Sequence, residues 1–135
     1  NPMAYKYDKT ARYAKTHDWA RVEGDLVVCG ISDYAQHSLS DVVYVELPDA
    51  GATFSQGEVY TTVESVKAAE EVFAPVSGEI VEVNEALEDQ PEQLNSDPYG
   101  AWIVKVRPAD VSELDSLMDA AAYEAYVHEA EEGGH

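Results

Sequence analysis

The chain has 135 residues, a length that suits one compact domain of the usual size of about 100–150 residues. Its 27 Asp and Glu residues outnumber 8 Lys and Arg, giving a formal charge of −19, which argues against binding to nucleic acid or to an anionic membrane surface. No apolar run approaches the roughly 18 residues of a membrane span, and residues 1–13 lack the apolar stretch of a secretory signal.

The first half of the chain predicts three strands and one short helix. Apolar residues on both sides of the turn Glu23-Gly24-Asp25 indicate a β-hairpin, whose second strand covers 26–31. Ser32 is placed to cap a helix that ends near Leu39. The β-branched run 42–47 predicts a third strand, which the following proline ends.

The second half of the chain predicts four more strands. A turn is expected at 75–78, with Gly78 adopting the positive φ that glycine permits. Residues 84–100 have a weak pattern, which indicates a loop with room for one helical turn. The strands are expected at 59–63, 70–74, 79–83 and, with side chains alternating between two faces, from Trp102 to Arg107.

The pattern becomes helical after Pro108. Asp110 and Glu113 have the spacing of a capping box. Asp119 can cap a second helix, in which Tyr123 and Val127 share an apolar face with Tyr126 and Ala130. Residues 131–135 are expected to fray. The sequence therefore predicts a single β-rich domain, with a core at about 5–108 and a helical segment at about 110–131.

Few residues suggest catalysis or metal binding. Cys29, the single cysteine, lies within an apolar strand, so we expect a core side chain, no internal disulfide and a reducing cytoplasm. Glu124 and His128 share a helix face, but two ligands on an acidic helix are a weak metal site, and we expect none. Because a phosphate-binding glycine loop and a nucleophile elbow are both missing, the sequence argues against a self-sufficient enzyme.

Lys67 is the candidate functional residue. It lies between two predicted strands, at or beside the tip of a hairpin, where its amine would be accessible. Small or compact residues surround it, and Glu64, Glu70 and Glu71 stand on either side. An ordinary surface lysine would also fit this position. A rigid tip is, however, what a long covalent carrier arm requires.

The segment around Lys67 resembles the lipoyl-attachment segment of glycine cleavage system H proteins. The likeness rests on ESVKAAEEVFAPVSGEIVEVNEAL at 64–87, and it continues in HDWARVEGD at 17–25 and GISDYAQHSLSDVVYVELPDAGA at 30–52. NSDPYGAWIVKVRP at 95–108 completes the resemblance. Biotin carriers and the lipoyl domains of 2-oxoacid dehydrogenases usually carry other residues beside the lysine, and those lipoyl domains lack C-terminal helices.

The resemblance implies a barrel-sandwich hybrid, a β-sandwich with a short internal helix and C-terminal helices. Lys67 would carry lipoic acid in amide linkage. The arm would take the aminomethyl group of glycine from the P protein to the T protein, and the flavoenzyme L protein would reoxidise it. The chain would thus be a non-catalytic, monomeric carrier that also meets a lipoate-attaching enzyme.

The resemblance also assigns residues around the arm. Glu64 and Gly78 match positions by which lipoylating enzymes recognise their acceptors. Asp18, Glu71 and Thr16 match a cleft where carboxylates hold the protonated amine of the loaded arm. Asp18 replaces a more usual Glu, and Glu71 a more usual Asp. A cleft histidine of the family corresponds here to Ser38, with His37 one position earlier.

Two other roles remain open at this level. The chain could relay lipoyl groups in lipoate metabolism through the same lysine, or it could be an unmodified binding module that kept only the fold. Acidic residues are spread along the whole chain, which separately suggests adaptation to a high-salt cytoplasm, where screening weakens charge repulsion.

Overall fold

The computed structural model describes residues 4–132. Nine strands in this range form two antiparallel sheets, as predicted for a β-sandwich. In chain order the strands are β1 (Arg12–Tyr13), β2 (Asp18–Glu23), β3 (Leu26–Ile31), β4 (Val42–Glu46), β5 (Thr53–Phe54), β6 (Val59–Ser65), β7 (Ala69–Phe73), β8 (Gly78–Val83) and β9 (Val104–Pro108). One sheet has the order β1-β2-β3-β9-β8-β5 and the other the order β4-β6-β7.

Short helices connect and cover the sheets. They are α1 (Asp33–Leu39), α2 (Ala86–Asp89), α3 (Gln93–Ser96), a 3-10 helix (Val111–Ser116) and α4 (Ala120–Glu132). None of the helices within residues 4–132 is long and apolar enough to cross a membrane.

The main core lies between the two sheets. Alternate residues of β3 and β9 point into it, and Val45, Val63 and Ile80 meet them from other strands. This alternation is the period of two that a half-buried strand requires. Cys29 lies fully in this core, as expected, and burial raises the pKa of its thiol.

A second, aromatic cluster lies on the outer face of the six-stranded sheet, under α4. Its fully buried members include Tyr13, Trp19 and Tyr123, and partly buried tyrosines surround them. The rings of Tyr13 and Tyr123 stack with centroids 4.3 Å apart and planes 3° from parallel. Gly30 lies opposite Trp19, and an added Cβ would approach the indole ring to 2.7 Å. Both faces are therefore covered along β3 and at the start of β2.

Several predicted elements are confirmed. The hairpin of β2 and β3 turns at Gly24, whose φ is +63°. Ser32 caps α1 by accepting a hydrogen bond from the Ala35 N–H at 3.1 Å. Asp119 accepts from the Ala122 N–H at 2.8 Å and so caps α4. The helix continues to Glu132, so the predicted fraying at 131 and 132 is wrong, and residues 133–135 lie outside the described residues.

Other predicted details are wrong. Glu113 accepts hydrogen bonds from the backbone N–H and hydroxyl of Ser77, so it joins two segments instead of completing a capping box with Asp110. The loop at 84–100 holds two short helices instead of one helical turn. The last strand begins at Val104, and Ile103 before it is fully buried, so the alternation predicted from Trp102 fails at its start.

Candidate functional site

Lys67 lies in the turn between β6 and β7, as the sequence predicted. Its side chain is exposed, and Val66 beside it is 66% exposed. Within residues 4–132 the ammonium forms no ion pair. The amine is therefore accessible from the solvent.

Ser65 fixes the shape of this turn. Its hydroxyl oxygen accepts hydrogen bonds from the backbone N–H groups of Ala68 at 3.1 Å and Lys67 at 3.3 Å. The backbone N–H of Ser65 donates to the Ala68 carbonyl at 2.7 Å, and that of Val66 donates to the Asp41 carbonyl at 3.0 Å. A serine hydroxyl bonded to nearby backbone is a recognised turn motif. The lysine thus projects from a rigid support.

The two residues expected to guide lipoylation lie in different places. Glu64 is exposed near the end of β6, opposite Tyr44 and Ala69 on the neighbouring strands. Gly78 begins β8, beyond the far end of β7 from Lys67. The structure brings Glu64 near the lysine along the chain and does not bring Gly78 there.

The expected positive φ at Gly78 is wrong. Among the glycines of residues 4–132, positive φ values occur at Gly24, Gly51 and Gly57. The reason for glycine at position 78 is close packing, because an added Cβ would lie 2.3 Å from the carbonyl oxygen of Arg107 on β9. Glycine here permits the close approach of two backbones.

A cleft with a volume of about 280 Å³ lies between the two sheets, and we call it the Asp18 cleft. Four segments form its walls: the start of β2 with the turn before it, the end of β3, one side of α1, and β7. Its lining residues are Thr16, His17, Asp18, Ile31, Tyr34, Ala35, Ser38, Leu39, Glu70, Glu71 and Val72. All three predicted cleft residues, Asp18, Glu71 and Thr16, are among them.

Asp18 lies at the base of the cleft and is only 2% exposed. Burial raises the pKa of its carboxyl group to about 7, against the smaller, lowering effects of hydrogen bonds from Thr16 and Phe73. The Thr16 hydroxyl donates to one carboxylate oxygen, and the Phe73 N–H donates to the other at 3.3 Å. Asp18 therefore also joins β2 to the exposed edge of β7.

Glu70 is a cleft residue that the sequence analysis did not assign. It lies opposite Val63 and two residues before Val72, so it shares the inward-facing side of β7. Glu71 pairs with Thr62 and faces the other side, but it still lines the cleft because β7 is an edge strand. Its position directly before Glu71, a predicted cleft residue, is the feature of the sequence that could have pointed to Glu70. The strand register decides on which face of the sheet Glu70 lies, and it could not be read from the sequence.

His17 is the second cleft residue that was missed. Its φ is +74°, an unusual value for a residue other than glycine. The ring nitrogen Nδ1 lies 2.8 Å from the hydroxyl of Tyr123, and burial lowers the pKa of the imidazole. Neither the left-handed backbone nor a contact 106 residues away in sequence leaves a local pattern.

Of the remaining candidate residues, one lines the cleft and the others lie outside it. Ser38 lines the cleft, whereas the His37 ring lies 3.8 Å from the Asp33 carboxylate and packs on Tyr5. Glu124 and His128 approach to 4.0 Å on α4, and residues 4–132 contain no group of three or more potential metal-binding side chains.

Comparison with known proteins decides the family. A sequence model described as Glycine cleavage H-protein matches residues 11–130. The chain belongs to the glycine cleavage H-protein family. It is 52% identical to the glycine cleavage system H protein of Anaeromyxobacter sp. (strain K) over 121 residues, 89% of this chain and 94% of that relative. It is 57% identical to the glycine cleavage system H protein of Thermus thermophilus over 113 residues, 83% of this chain and 88% of that one.

A solved structure agrees with the family. The crystal structure of a glycine cleavage system H protein from Mycobacterium marinum superposes with a TM-score of 0.81 at 38% sequence identity. The match covers 89% of this chain and 98% of that one. The sandwich with C-terminal helices is thus the fold of an H protein, and the expected fold class is confirmed.

The geometry fits an H-protein lipoyl arm. Glu70 is three residues beyond Lys67, so the cleft begins at most roughly 10 Å from the lysine, the span of three fully extended residues. A lipoyl-lysine side chain spans about 15 Å when extended, by standard bond lengths. The cleft offers both apolar contacts, from Leu39 and Val72, and carboxylates.

Proposed function

We propose that this chain is the lipoyl-bearing carrier of the glycine cleavage system and that Lys67 is the attachment site. The observation that carries the proposal is an unpaired lysine on a rigid turn within reach of an acidic cleft. The lipoyl group would supply a dithiolane that accepts the aminomethyl group of glycine from the P protein, releases it to the T protein and is reoxidised by the L protein.

The turn residues present the lysine to its modifying enzyme. Ser65 holds the backbone of Lys67 and Ala68, so the amine is displayed without a folding rearrangement. Glu64 provides an exposed carboxylate three residues before the lysine. We infer that the lipoate-attaching enzyme reads Glu64 directly. Gly78 would contribute by keeping the packing of β8 against β9.

The cleft residues would hold a protonated amine at the end of the arm. Glu70 and Glu71 lie along its β7 wall and Asp18 at its base. An ammonium group nearby favours the ionised form of Asp18, because opposite charges within about 4–6 Å stabilise each other. Thr16 fixes the Asp18 carboxylate by donating its hydroxyl hydrogen. Leu39 and Val72 would supply apolar contacts to the hydrocarbon part of the arm.

This role requires no catalytic group in the chain itself. The carrier would act as a shuttling substrate in the cytoplasm, and the bond-making steps would belong to the P, T and L proteins. A single domain with one accessible modification site is sufficient for this work. We propose that the carrier is a monomer, since each partner needs access to the same turn.

The test begins with attachment. The protein, a Lys67→Arg variant and a Lys9→Arg control are incubated with lipoate, ATP and a lipoate ligase; Lys9 is another exposed lysine. Intact mass is then measured, with peptide mapping. We expect a lipoyl increment on the parent and on Lys9→Arg, located at Lys67, and none on Lys67→Arg. A parent protein that stays unmodified would favour the binding-module role over the carrier role.

Loading then separates the two carrier roles. The lipoylated protein is incubated with the P protein, pyridoxal phosphate and glycine labelled at its methylene carbon, since the carboxyl carbon leaves as CO2. We expect label to remain on the protein and to leave when T protein and tetrahydrofolate are added. Transfer of the lipoyl group to other acceptors without any glycine-dependent labelling would instead support the relay role.

A further inference from the structure

We propose that the C-terminal helix α4 sets the width of the Asp18 cleft and that Tyr123 is the positioning residue through which it acts. The use of the cleft for a carrier arm rests on the function proposed above, but the geometry does not. The Tyr123 side chain is fully buried, and its hydroxyl contacts His17, which lines the cleft, and Ser32, which caps the helix that forms another wall.

The first wall is reached through His17. The Tyr123 hydroxyl lies 2.8 Å from His17 Nδ1. His17 itself lines the cleft and directly precedes Asp18, so the position of its backbone determines where the Asp18 carboxylate points. Its positive φ is a strained conformation that persists only where surrounding contacts enforce it. Backbone hydrogen bonds from the His17 N–H to Ala14 at 2.9 Å and from the Ser32 N–H to the His17 carbonyl at 3.0 Å hold the same residue.

The second wall is reached through Ser32. The Tyr123 hydroxyl lies 2.7 Å from Ser32 Oγ, and that oxygen caps α1 by accepting from Ala35. One side of α1 forms the opposite wall of the cleft, through residues that include Tyr34 and Ser38. Tyr123 therefore connects the start of β2 to the start of α1 with one oxygen atom.

All three hydrogen bonds of this connection can form at the same time. The Ala35 N–H donates to Ser32 Oγ, the Ser32 hydroxyl can donate to Tyr123, and the Tyr123 hydroxyl can donate to His17 Nδ1. Because burial keeps the imidazole of His17 neutral, one ring nitrogen is available as an acceptor. Each hydroxyl then uses its single hydrogen once, and no buried donor in the series is left without an acceptor.

A Tyr123→Phe variant tests the proposal, because it keeps the stacked ring and removes only the connecting oxygen. Tyr13→Phe is the matched control: Tyr13 is equally buried in the same cluster, and its hydroxyl accepts from the Asp8 N–H at 2.7 Å and donates to the Asp8 carbonyl at 2.8 Å, outside the cleft lining. Both variants are studied without a lipoyl group, so the result does not depend on modification of Lys67.

Amide exchange measures the cleft directly. The Phe73 N–H donates across the cleft region to Asp18, so its exchange reports whether β2 and β7 stay together. In Tyr123→Phe we expect Phe73 exchange to accelerate at least tenfold relative to the core amide of Val63, and a less than twofold relative change in Tyr13→Phe. Equal exchange of Phe73 in the two variants would overturn the proposal.

The titration of Asp18, followed by carboxyl carbon NMR, gives a second readout. The carboxylates of Glu70 and Glu71 line the same cleft and are followed in the same spectra. A wider cleft admits water to Asp18, so its pKa should fall from about 7 toward the ordinary value in Tyr123→Phe and stay unchanged in Tyr13→Phe. An unchanged Asp18 pKa in Tyr123→Phe would contradict the proposal.

A His17→Asn variant supplies independent evidence should Tyr123→Phe prove unstable. Asparagine tolerates positive φ better than most residues, so the turn is retained while the ring contact with Tyr123 is lost. We expect faster Phe73 exchange and a lower Asp18 pKa, as in Tyr123→Phe. If neither Phe73 exchange nor the Asp18 pKa changes in His17→Asn, Tyr123 is excluded as a positioning residue. Failure of Lys67 lipoylation would exclude only the carrier function.

Discussion

At the scale of single residues, Asp18 is the clearest case of a group whose environment changes its chemistry. A buried carboxyl group with a pKa near 7 resists ionisation in the folded protein, whereas the unfolded chain ionises near the usual value of 3.8. The folded state therefore binds more protons than the unfolded state between about pH 4 and pH 7. Stability contributed by Asp18 is fully present below about pH 4 and is lost as the pH rises to about 7.

We expect Asp18→Asn to raise the melting temperature at pH 8 and to leave it nearly unchanged at pH 4. Asparagine keeps the acceptor for the Phe73 N–H and removes the cost of ionisation. The gain in unfolding free energy at pH 8 is at most about 4 kcal/mol, since each pKa unit corresponds to about 1.4 kcal/mol. Calorimetry at pH 4, 6 and 8 measures it.

Asp110→Asn is the control for this experiment. Asp110 is an exposed cap whose pKa is lowered by hydrogen bonds from the hydroxyl and backbone of Ser112, so its effect has the opposite sign. We expect no gain at pH 8 from this change. A melting temperature of Asp18→Asn that follows the parent at every pH would show that Asp18 ionises freely in the folded protein.

Residue by residue, the sequence predicted exposure better than contacts. Lys67 could be placed at a hairpin tip because strand-like residues flank it on both sides. The burial of Asp18 could not be predicted, since it depends on α1 and β7 closing over the start of β2. The positive φ predicted for Gly78 is wrong because the glycine is required by close packing against the Arg107 backbone on β9, a contact that leaves no local sequence pattern.

At the scale of elements, the turn between β6 and β7 depends on one side chain. We expect Ser65→Ala to accelerate amide exchange at Lys67 and Ala68, because the hydroxyl oxygen accepts a hydrogen bond from both N–H groups. Loss of such hydrogen bonds costs about 1 kcal/mol, which corresponds to roughly a fivefold faster exchange. Hydrogen–deuterium exchange followed by NMR measures it.

A Ser77→Ala variant provides the comparison at the other end of β7. Ser77 also makes side-chain hydrogen bonds, to Gln56 and Glu113 at 2.8 Å each, but it is remote from the turn. We expect exchange at Lys67 and Ala68 to remain as in the parent. If Ser65→Ala behaves like Ser77→Ala, the turn is held by its backbone alone.

Elements with local signals were predicted well, and those stabilised by distant contacts were not. Ser32 and Asp119 cap their helices as their spacing indicated. Asp110 and Glu113 have equally good spacing, yet Glu113 binds Ser77, because that contact satisfies a second segment of the chain. The two-residue strands β1 and β5 are too short to produce a pattern and exist through pairing with β2 and β8.

At the scale of the whole molecule, the formal charge of −19 should destabilise the compact state by self-repulsion. We expect the urea midpoint at pH 7.5 to rise as KCl increases from 0.1 to 1 M. Over this range the screening length falls from about 10 Å to about 3 Å. Equilibrium unfolding followed by circular dichroism measures the change.

The same urea unfolding series in KCl, carried out at a pH near the sequence pI of about 4.2, serves as the control. Net charge is close to zero there, so the salt effect should shrink. Adaptation to high salt remains a prediction at this scale, and it would require a large effect at pH 7.5. A midpoint independent of KCl at pH 7.5 would show that the acidic residues are far enough apart not to repel each other.

The Asp18 cleft also has a consequence for the order in which the molecule can be completed. The turn at Lys67 is held by contacts within Ser65–Ala68 and by the hydrogen bond from the Val66 N–H to Asp41, 25 residues earlier, so it can close early. The cleft needs contacts between Asp18 and Phe73, 55 residues apart, and between His17 and Tyr123, 106 apart. Contacts between distant parts of a chain require slow loop closure. If Lys67 carries the proposed lipoyl group, a newly synthesised chain would thus become an acceptor for that group before it becomes a shelter for what the group carries.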